Sequence, residues 1–496
     1  MSHYLGIDIG TYASKGVLVD GEGRIVAAAD RPHKMIVPQP GWAEHRPEED
    51  WWDDFVHISR ALLADSGVAA DSIRAVACSA IGPCMLPVDA NGAPLMNAIL
   101  YGVDARAATE IEELTDRIGE AVLLDRCGNA LTSQSVGPKI LWLQRNRPEL
   151  FDRTHKVLTS TSYLVHRLTG EYVIDHYTAA NSSPLYLVDS LSWSSELADD
   201  IVDLDKLPRL AWSTEIAGTI TDAAAEATGL APGTPVTAGT IDAAAEALSV
   251  GVLDSGDMMV MYGSTIFIIE LTNTRVRDPR LWYAPWLFEG QHASMSGLAT
   301  SGTLTHWFRE QFARELDDSD AFIELAAEAE GSPPGANGLV FLPYFSGERT
   351  PIHDPFAKGV LFGLNLTHDR GDVYRALLEG IAYGTNHVFE TYAEAGYPPK
   401  RMLAVGGGTK NAVWLQATSD ISGINQLICG ETVGASYGDA FLAAVAVGDV
   451  DRDAIRQWNP VAREVRAEPN EVYRRQYSVF RQLYDRNADL MSQLGQ

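Results

Sequence analysis

Apolar positions along this chain keep two rhythms. Residues 4–9, 15–19 and 24–29 are short apolar stretches between turn residues. They predict three strands in an antiparallel meander, with Asp20-Gly21-Glu22-Gly23 as the hairpin turn joining the last two. Behind Pro47 the spacing changes: Trp51, Trp52, Phe55, Ile58, Leu62 and Leu63 fall on one face of a helix, so the tryptophans read as core. A strand follows over 73–79, then a turn at Asn91-Gly92, then a strand over 98–101 ending near Asp104 and Arg106. Strands and helices alternate onward, the pattern of an α/β fold.

Mid-chain, the opening pattern returns. Val236-Thr237-Ala238 reads as a short strand, Gly239-Thr240 as a turn, and Asp242-Ala243-Ala244-Ala245-Glu246 as part of a helix. Residues 258–262, the turn Gly263-Ser264-Thr265 and residues 266–270 then repeat the strand, glycine-hydroxyl turn and return strand of the N-terminus. Such a repeat predicts two domains of related topology, each offering a hairpin loop to a shared ligand. Farther on, Tyr374, Leu377, Leu378, Ile381, Val388 and Tyr392 form a helical stripe closed by Gly396. Gly380 and Gly384 inside it cost about 1 kcal/mol each against alanine and so mark close packing. Residues 402–405 read as a strand and Gly406-Gly407-Gly408 as a turn opening a helix at Asn411. Tyr473, Tyr477, Phe480 and Leu483 form the packing face of a last helix.

Asp8 breaks this order, standing in the first strand where another apolar side chain belongs. An ionised carboxylate is too costly to bury alone, so it is paired, metal-bound, or at a strand end facing a cleft. Gly10-Thr11 immediately after it favours the cleft. Glycine lets a ligand come close, the amides and the Thr11 hydroxyl can donate to anionic oxygens, and Lys15 adds positive charge. That set suits a magnesium-bound polyphosphate; an Asp at an exposed strand end is the plainer alternative. Asp242 is the second candidate, a carboxylate at a helix start that either faces out of the fold or favours the helix dipole. Phosphoryl transfer to an alcohol needs a metal-held nucleotide, an acceptor hydroxyl in line with the γ-phosphorus, and a carboxylate to take its proton. On that reading Asp8 holds magnesium and Asp242 deprotonates the acceptor.

Composition narrows the classes. A chain of 496 residues exceeds one compact core, which predicts two domains with a cleft between them. With 66 acidic against 38 basic residues, the net charge of −28 opposes long-range attraction to nucleic acid or anionic membrane, so any bound phosphate is held by local donors. Cys78, Cys84, Cys127 and Cys429 form no CxxC pair, the strand starting at Tyr4 leaves no room for a signal peptide, and no apolar run reaches membrane-spanning length. A cytoplasmic protein with no nucleic-acid or membrane partner is therefore expected. No Gly-Lys dipeptide occurs, which excludes a Walker A loop, and His-Glu-x-x-His is absent too. Gly434-Ala435-Ser436-Tyr437-Gly438 has nucleophile-elbow spacing, but it runs into an Ala-rich helix over 439–447 that packs through small residues.

Gly347-Glu348-Arg349-Thr350-Pro351-Ile352-His353-Asp354-Pro355, followed by Lys358-Gly359-Val360-Leu361-Phe362-Gly363-Leu364, resembles the signature of the FGGY carbohydrate kinases. Pro40-Gly41-Trp42-Ala43-Glu44, Gly137-Pro138-Lys139-Ile140-Leu141-Trp142, Asp242-Ala243-Ala244-Ala245, Arg370-Gly371 and Glu379-Gly380 accompany it in the family's order, over nearly the full chain. The resemblance implies a two-domain α/β fold of the actin/hexokinase-like (ribonuclease H-like) type, binding ATP and magnesium in an interdomain cleft that closes on substrate. Residues 1–250 would carry the sugar site and catalytic Asp, and residues 251–496 the nucleotide side. Asp8, Gly10, Thr11 and Lys15 match the first phosphate motif, Asp242 the catalytic base, and Gly263 and Ser264 the second phosphate loop. Gly302, Gly407, Gly408 and Asn411 match nucleotide-side positions. Tyr12 and Ala13 replace hydroxyl residues common in glycerol kinases, so the first loop is expected to contact phosphate through backbone.

Within the family the chain is most similar to xylulokinases, yet its sugar loop departs from them. Where they carry Gln-Met-His-Gly, this chain has Ile81-Gly82-Pro83-Cys84; Tyr101 stands where a Trp is usual, with one extra residue before Asp104. Gly82, Pro83, Tyr101, Asp104 and Asp242 are the expected acceptor contacts. A site built around a hydrogen bond to its substrate discriminates by up to ~10⁴ or more, so losing the imidazole bears on the acceptor. Xylulose is the leading acceptor, with another ketose or a small polyol (ribulose, erythritol, glycerol) as the alternative. A non-catalytic ATP-binding regulator on the same fold is the rival class. Dimers are common among similar kinases, which makes a homodimer compatible with the resemblance.

Overall fold

The computed structural model describes residues 2–317 and 320–494. Its frame is a pair of seven-stranded sheets. In the first, His3–Ile9 is central: it runs antiparallel to Ala13–Asp20, which pairs with Ile25–Pro32, and parallel to Ile73–Ala80 on its other side. Pro235–Thr237 and Ile216–Thr219 extend that side, and Thr240–Ile241 pairs with the end of Ile73–Ala80. In the second sheet Asp257–Tyr262 takes the central place, antiparallel to Ile266–Thr272 and parallel to Arg401–Val405. His292–Leu298 and Trp282–Pro285 continue one side, Gln426–Cys429 and Val461–Val465 the other. The mid-chain repeat read from the sequence is thus a shared strand order around two hairpins. The strand expected over 98–101 is shorter, Ala98–Ile99, because its partner Glu44–His45 ends there and the chain turns toward Asp104.

Strand alternation divides the cores. Leu5, Ile7 and Ile9 face Trp51, Phe55, Ile58 and Leu62, carried by a wide π-type turn at Pro47–Trp52 and the helix Asp53–Ser66. Tyr4, Val17 and Val19 face the other way and share a core with Met259, Ile269 and Leu403 of the second sheet, built around the helices Asp242–Ser249 and Ala435–Ala446. The latter helix follows all but one strand of the second sheet along the chain but lies on the first. Gly6 makes that contact, since a Cβ there would stand 2.0 Å from the Ser436 carbonyl; Gly438 lets the same helix pack on Asp242–Ser249, a Cβ there standing 1.9 Å from the Ala245 carbonyl.

On the outer face of the second sheet, Met258, Val260 and Tyr262 meet Tyr374, Leu377 and Ile381 of the helix Arg370–Glu394. The glycines inside that helix do mark close packing, since a Cβ at Gly380 would be 2.4 Å from the Phe341 carbonyl. Ser436 of the elbow-like motif is buried in a helix. The four cysteines are buried and free, and no helix among the described residues is long and apolar enough to cross a membrane.

Candidate active site

Asp8 reaches a cleft because of where its strand meets the helix Ala435–Ala446. Tyr4, Gly6 and Asp8 share one strand face; Gly6 touches the first turn of the helix, and Asp8, one step farther, lies beyond it. Its register partner on the neighbouring strand is Ser79, whose hydroxyl donates to Asp439 Oδ2 (2.7 Å) and reaches Asp8 Oδ1 (3.2 Å). Burial, then repulsion from Asp242, Asp439 and Glu246, pushes the Asp8 carboxyl well above the ordinary range. Asp439, fully buried, is likewise raised by burial, against the donations of the Ser79 hydroxyl and amide.

Asp242 is placed by the strand pairing beside it. Thr240–Ile241 runs parallel to Ser79–Ala80, so the carboxylate at the start of Asp242–Ser249 stands next to the loop that begins at Ile81. That loop comes within contact of Ile241 because residue 82 is glycine; a Cβ there would be 2.7 Å from Ile241 Cγ1. The Asp242 carboxylate accepts from the Ala243 amide (2.7 Å), and desolvation raises its pKa to about 7. Glu246, one helical turn on, is also pushed up to about 7 by burial, with Lys15 drawing it down.

A cavity of about 330 Å³ joins these groups. Asp8, Gly82, Pro83, Tyr101 and Asp242 line it from the first half, and Phe267, Trp282, Met295 and Arg349 line it from the second. Four of the five expected acceptor contacts are therefore brought together with Asp8. Asp104 is not among them: it is buried beside the cavity, where it accepts from the Ala43 amide (2.7 Å) and pairs with Arg106 (2.7 Å). Gly10, Thr11 and Lys15 do not line the cavity. Thr11 stands beside it, its hydroxyl 3.4 Å from that of Tyr101, and Lys15 lies opposite Asp8 across the hairpin.

A second cavity, about 670 Å³, is lined by Gly263, Ser264, Gly302, Gly407, Gly408 and Asn411, the whole second-half set expected from the sequence. Its other walls include Phe322, Ala326 and Trp414, giving a mostly apolar slot edged by backbone groups, the chemistry of a flat heterocycle with a polar tail. Gly302 opens the helix Gly302–Phe312 so near the hairpin turn that a Cβ there would be 2.4 Å from the Gly263 carbonyl. The Ser301 hydroxyl and Gly302 amide donate to that carbonyl (both 3.0 Å), and the Ser301 and Thr303 amides donate to the Ser264 carbonyl (3.1 and 3.2 Å).

Three polar residues of the site went unassigned in the sequence. Glu246 follows Asp242 by four positions, the spacing that puts two side chains on one helix face. Asp439 is a carboxylate in an Ala-rich helix, the same anomaly that singled out Asp8. Arg349 belongs to the signature segment and carried no assigned role there; the fold brings it to the cavity that Asp242 also lines.

Comparison with known proteins decides the family. Residues 3–249 match the N-terminal domain model of the FGGY family of carbohydrate kinases, and residues 258–447 match its C-terminal domain model. The chain is a member of the FGGY carbohydrate kinases. Kinases of this family use ATP. This FGGY kinase is 29% identical over 503 residues to a xylulose kinase of Bacillus subtilis, covering 100% of this chain and 99% of that one. To a xylulose kinase of Escherichia coli it is 32% identical over 449 residues, covering 89% and 90%. The crystal structure of xylulose kinase from Rhodospirillum rubrum superposes with a TM-score of 0.92 at 31% identity, covering 99% of this chain and 100% of that chain. The actin/hexokinase-like α/β fold expected from the sequence is the fold found.

Proposed function

We propose that this FGGY kinase transfers the γ-phosphoryl group of ATP to a hydroxyl of xylulose, with Asp242 as the base. One observation carries the reading: a single cavity between the halves holds Asp242 beside the sugar loop Gly82-Pro83, Tyr101 and Asp8. The similarity to the xylulose kinases supports the acceptor class.

In this reading the acceptor hydroxyl hydrogen-bonds to Asp242, whose pKa of about 7 suits proton removal at neutral pH. The Ala243 amide fixes the carboxylate's orientation. The Gly10-Thr11 turn and Lys15 take phosphate from the first half, and the Gly263-Ser264 turn takes it from the second. Gly302, Gly407, Gly408 and Asn411 border the slot for the rest of the nucleotide. Phe267, Trp282 and Met295 wall the acceptor off from water.

The donor set fits magnesium, a hard cation that prefers carboxylate oxygens and retains bonds to substrate phosphates. The carboxyls of Asp8, Asp242, Glu246 and Asp439 repel one another, and Asp439 Oδ1 is buried with no hydrogen-bond partner. No group of three or more His, Cys, Asp or Glu among the described residues could hold an ion, so magnesium here depends on Asp8 together with nucleotide phosphates. When bound, it supplies neutralisation of phosphate charge.

A second acceptor reading rests on the sugar loop. Ile81, Gly82 and Pro83 offer the cavity no side-chain hydrogen bond, a wall that suits another ketose or a small polyol such as ribulose, erythritol or glycerol. A coupled ADP-release assay over a panel of ketoses and polyols separates the two. Xylulose should give the highest kcat/KM; a larger value for another compound replaces it as acceptor. No stimulation of ADP release by any of them would make the chain a non-catalytic ATP-binding protein.

A further inference from the structure

Behind the first phosphate turn lies a buried array of side chains that the reaction itself does not use. His33 Nε2 is 3.0 Å from the Gly10 carbonyl, and its Nδ1 is 2.9 Å from Asp54 Oδ2. Both neighbours are acceptors, and Nε2 is the ring nitrogen that faces the Gly10 carbonyl. Asp54 is buried and held in turn by the Ser14 hydroxyl (2.7 Å) and by Arg31 (3.1 Å). His45, fully buried, has its Nε2 3.1 Å from the Thr11 carbonyl. Its Nδ1 accepts from the Trp51 indole N–H (3.0 Å), and because indole only donates, the proton of His45 sits on Nε2 and points at Thr11. Burial, with His33 alongside, lowers the His45 pKa to about 4, which keeps this tautomer neutral.

Two consecutive carbonyls are thus held from the same buried side. In a planar trans peptide the C=O of one residue and the N–H of the next point in opposite directions. Holding the Gly10 carbonyl therefore aims the Thr11 amide away from His33, and holding the Thr11 carbonyl aims the Tyr12 amide away from His45. Neither amide has a hydrogen-bond partner among the described residues. They face the open side of the turn, where Tyr12 is 63% exposed and Thr11 meets Tyr101 of the acceptor cavity.

We propose that His33 and His45 are positioning residues that hold the Gly10-Thr11 turn with its Thr11 and Tyr12 amides presented to nucleotide phosphate. The proposal rests on the reading of that turn as a phosphate loop. Neither imidazole touches the nucleotide. The replacement of hydroxyl residues by Tyr12 and Ala13 leaves the backbone as the chief donor of the loop, and the histidines hold that backbone from behind.

The test uses the full chain without sugar, titrated calorimetrically with a non-hydrolysable ATP analogue plus magnesium. His45→Gln keeps an acceptor for Trp51 and a donor for Thr11, and should bind within about threefold of wild type; His45→Glu has the same shape without the donor and should bind about tenfold or more weakly. His33→Leu should weaken binding by a similar factor. In turnover, KM for ATP should rise in His45→Glu and His33→Leu while KM for the sugar holds. Equal analogue affinity in folded wild type, His45→Glu and His33→Leu would overturn the positioning role, as would failure of His45→Gln to restore it. No analogue binding by the folded wild type would overturn the phosphate-loop reading beneath it.

Discussion

The two hairpin turns have their carbonyls held by different means. In the first half the carbonyls of Gly10 and Thr11 are gripped by imidazoles; in the second, those of Gly263 and Ser264 are gripped by amides of residues 301–303 and by the hydroxyls of Ser301 and Thr303. Each turn also closes on itself, through Gly10 N to Ala13 O (3.0 Å) and Gly263 N to Thr265 O (3.1 Å). A grip made of side chains can be altered one substitution at a time. A grip made of backbone yields only where a glycine permits the approach, and Gly302 is that place. The first turn also stands among raised carboxyls, whereas the second opens on an apolar slot, so the proposed function puts proton transfer and nucleotide holding on opposite walls.

Asp242→Ala tests that separation most severely. It should lower kcat by about 10²–10⁴ while leaving affinity for nucleotide nearly intact, because the base takes no part in either grip. Unchanged turnover would remove Asp242 from the chemistry, and a parallel loss of nucleotide affinity would show that the two walls are not independent.

The pH profile sharpens the same point. Asp242 accepts a proton only when ionised, and its raised pKa of about 7 means that it is protonated below neutrality. On a kcat/KM profile from pH 5 to 9, activity should fall about tenfold per unit below pH 7, reaching about a hundredfold loss at pH 5. Nucleotide affinity should follow a different curve.

Gly302→Ala attacks the backbone grip. The added methyl would meet the Gly263 carbonyl at 2.4 Å, and overpacking of about 1–3 kcal/mol corresponds to roughly a fivefold to 150-fold rise in KM for ATP. KM for the sugar should hold. Ser301→Ala is the mildest: it removes one of the two donors to the Gly263 carbonyl and leaves the amide, so KM for ATP should rise only about threefold. An effect as large as that of Gly302→Ala would mean that the hydroxyl dominates the grip, making the two turns more alike than their chemistry implies.

Much of this arrangement was legible in the sequence where the signal was local. Asp8 was visible because a carboxylate interrupts an apolar strand, and Gly263-Ser264 because a strand, turn and return strand recur. The residues that escaped notice are those brought in by packing between distant segments. Asp439 reaches Ser79 only because Gly6 lets a helix settle on the first sheet. His33 and His45 were assigned no role in the sequence; their meeting at Gly10-Thr11 depends on the turn at Pro47–Trp52 that brings up Trp51. Asp104 shows the converse. It was itself an expected acceptor contact, and in the fold its carboxylate pairs with Arg106, which lies 3.8 Å from the centre of the Trp42 ring.

The helix Ala435–Ala446 has a further consequence, one of timing. It covers a face of the first sheet, yet it is translated after all but one strand of the second. During synthesis the side of His3–Ile9 that carries Gly6 waits uncovered until residue 446 has left the ribosome. The earliest strand made is thus among the last to be sheathed, and a nascent chain halted after residue 250 would display an apolar sheet face to whatever chaperone stands nearby.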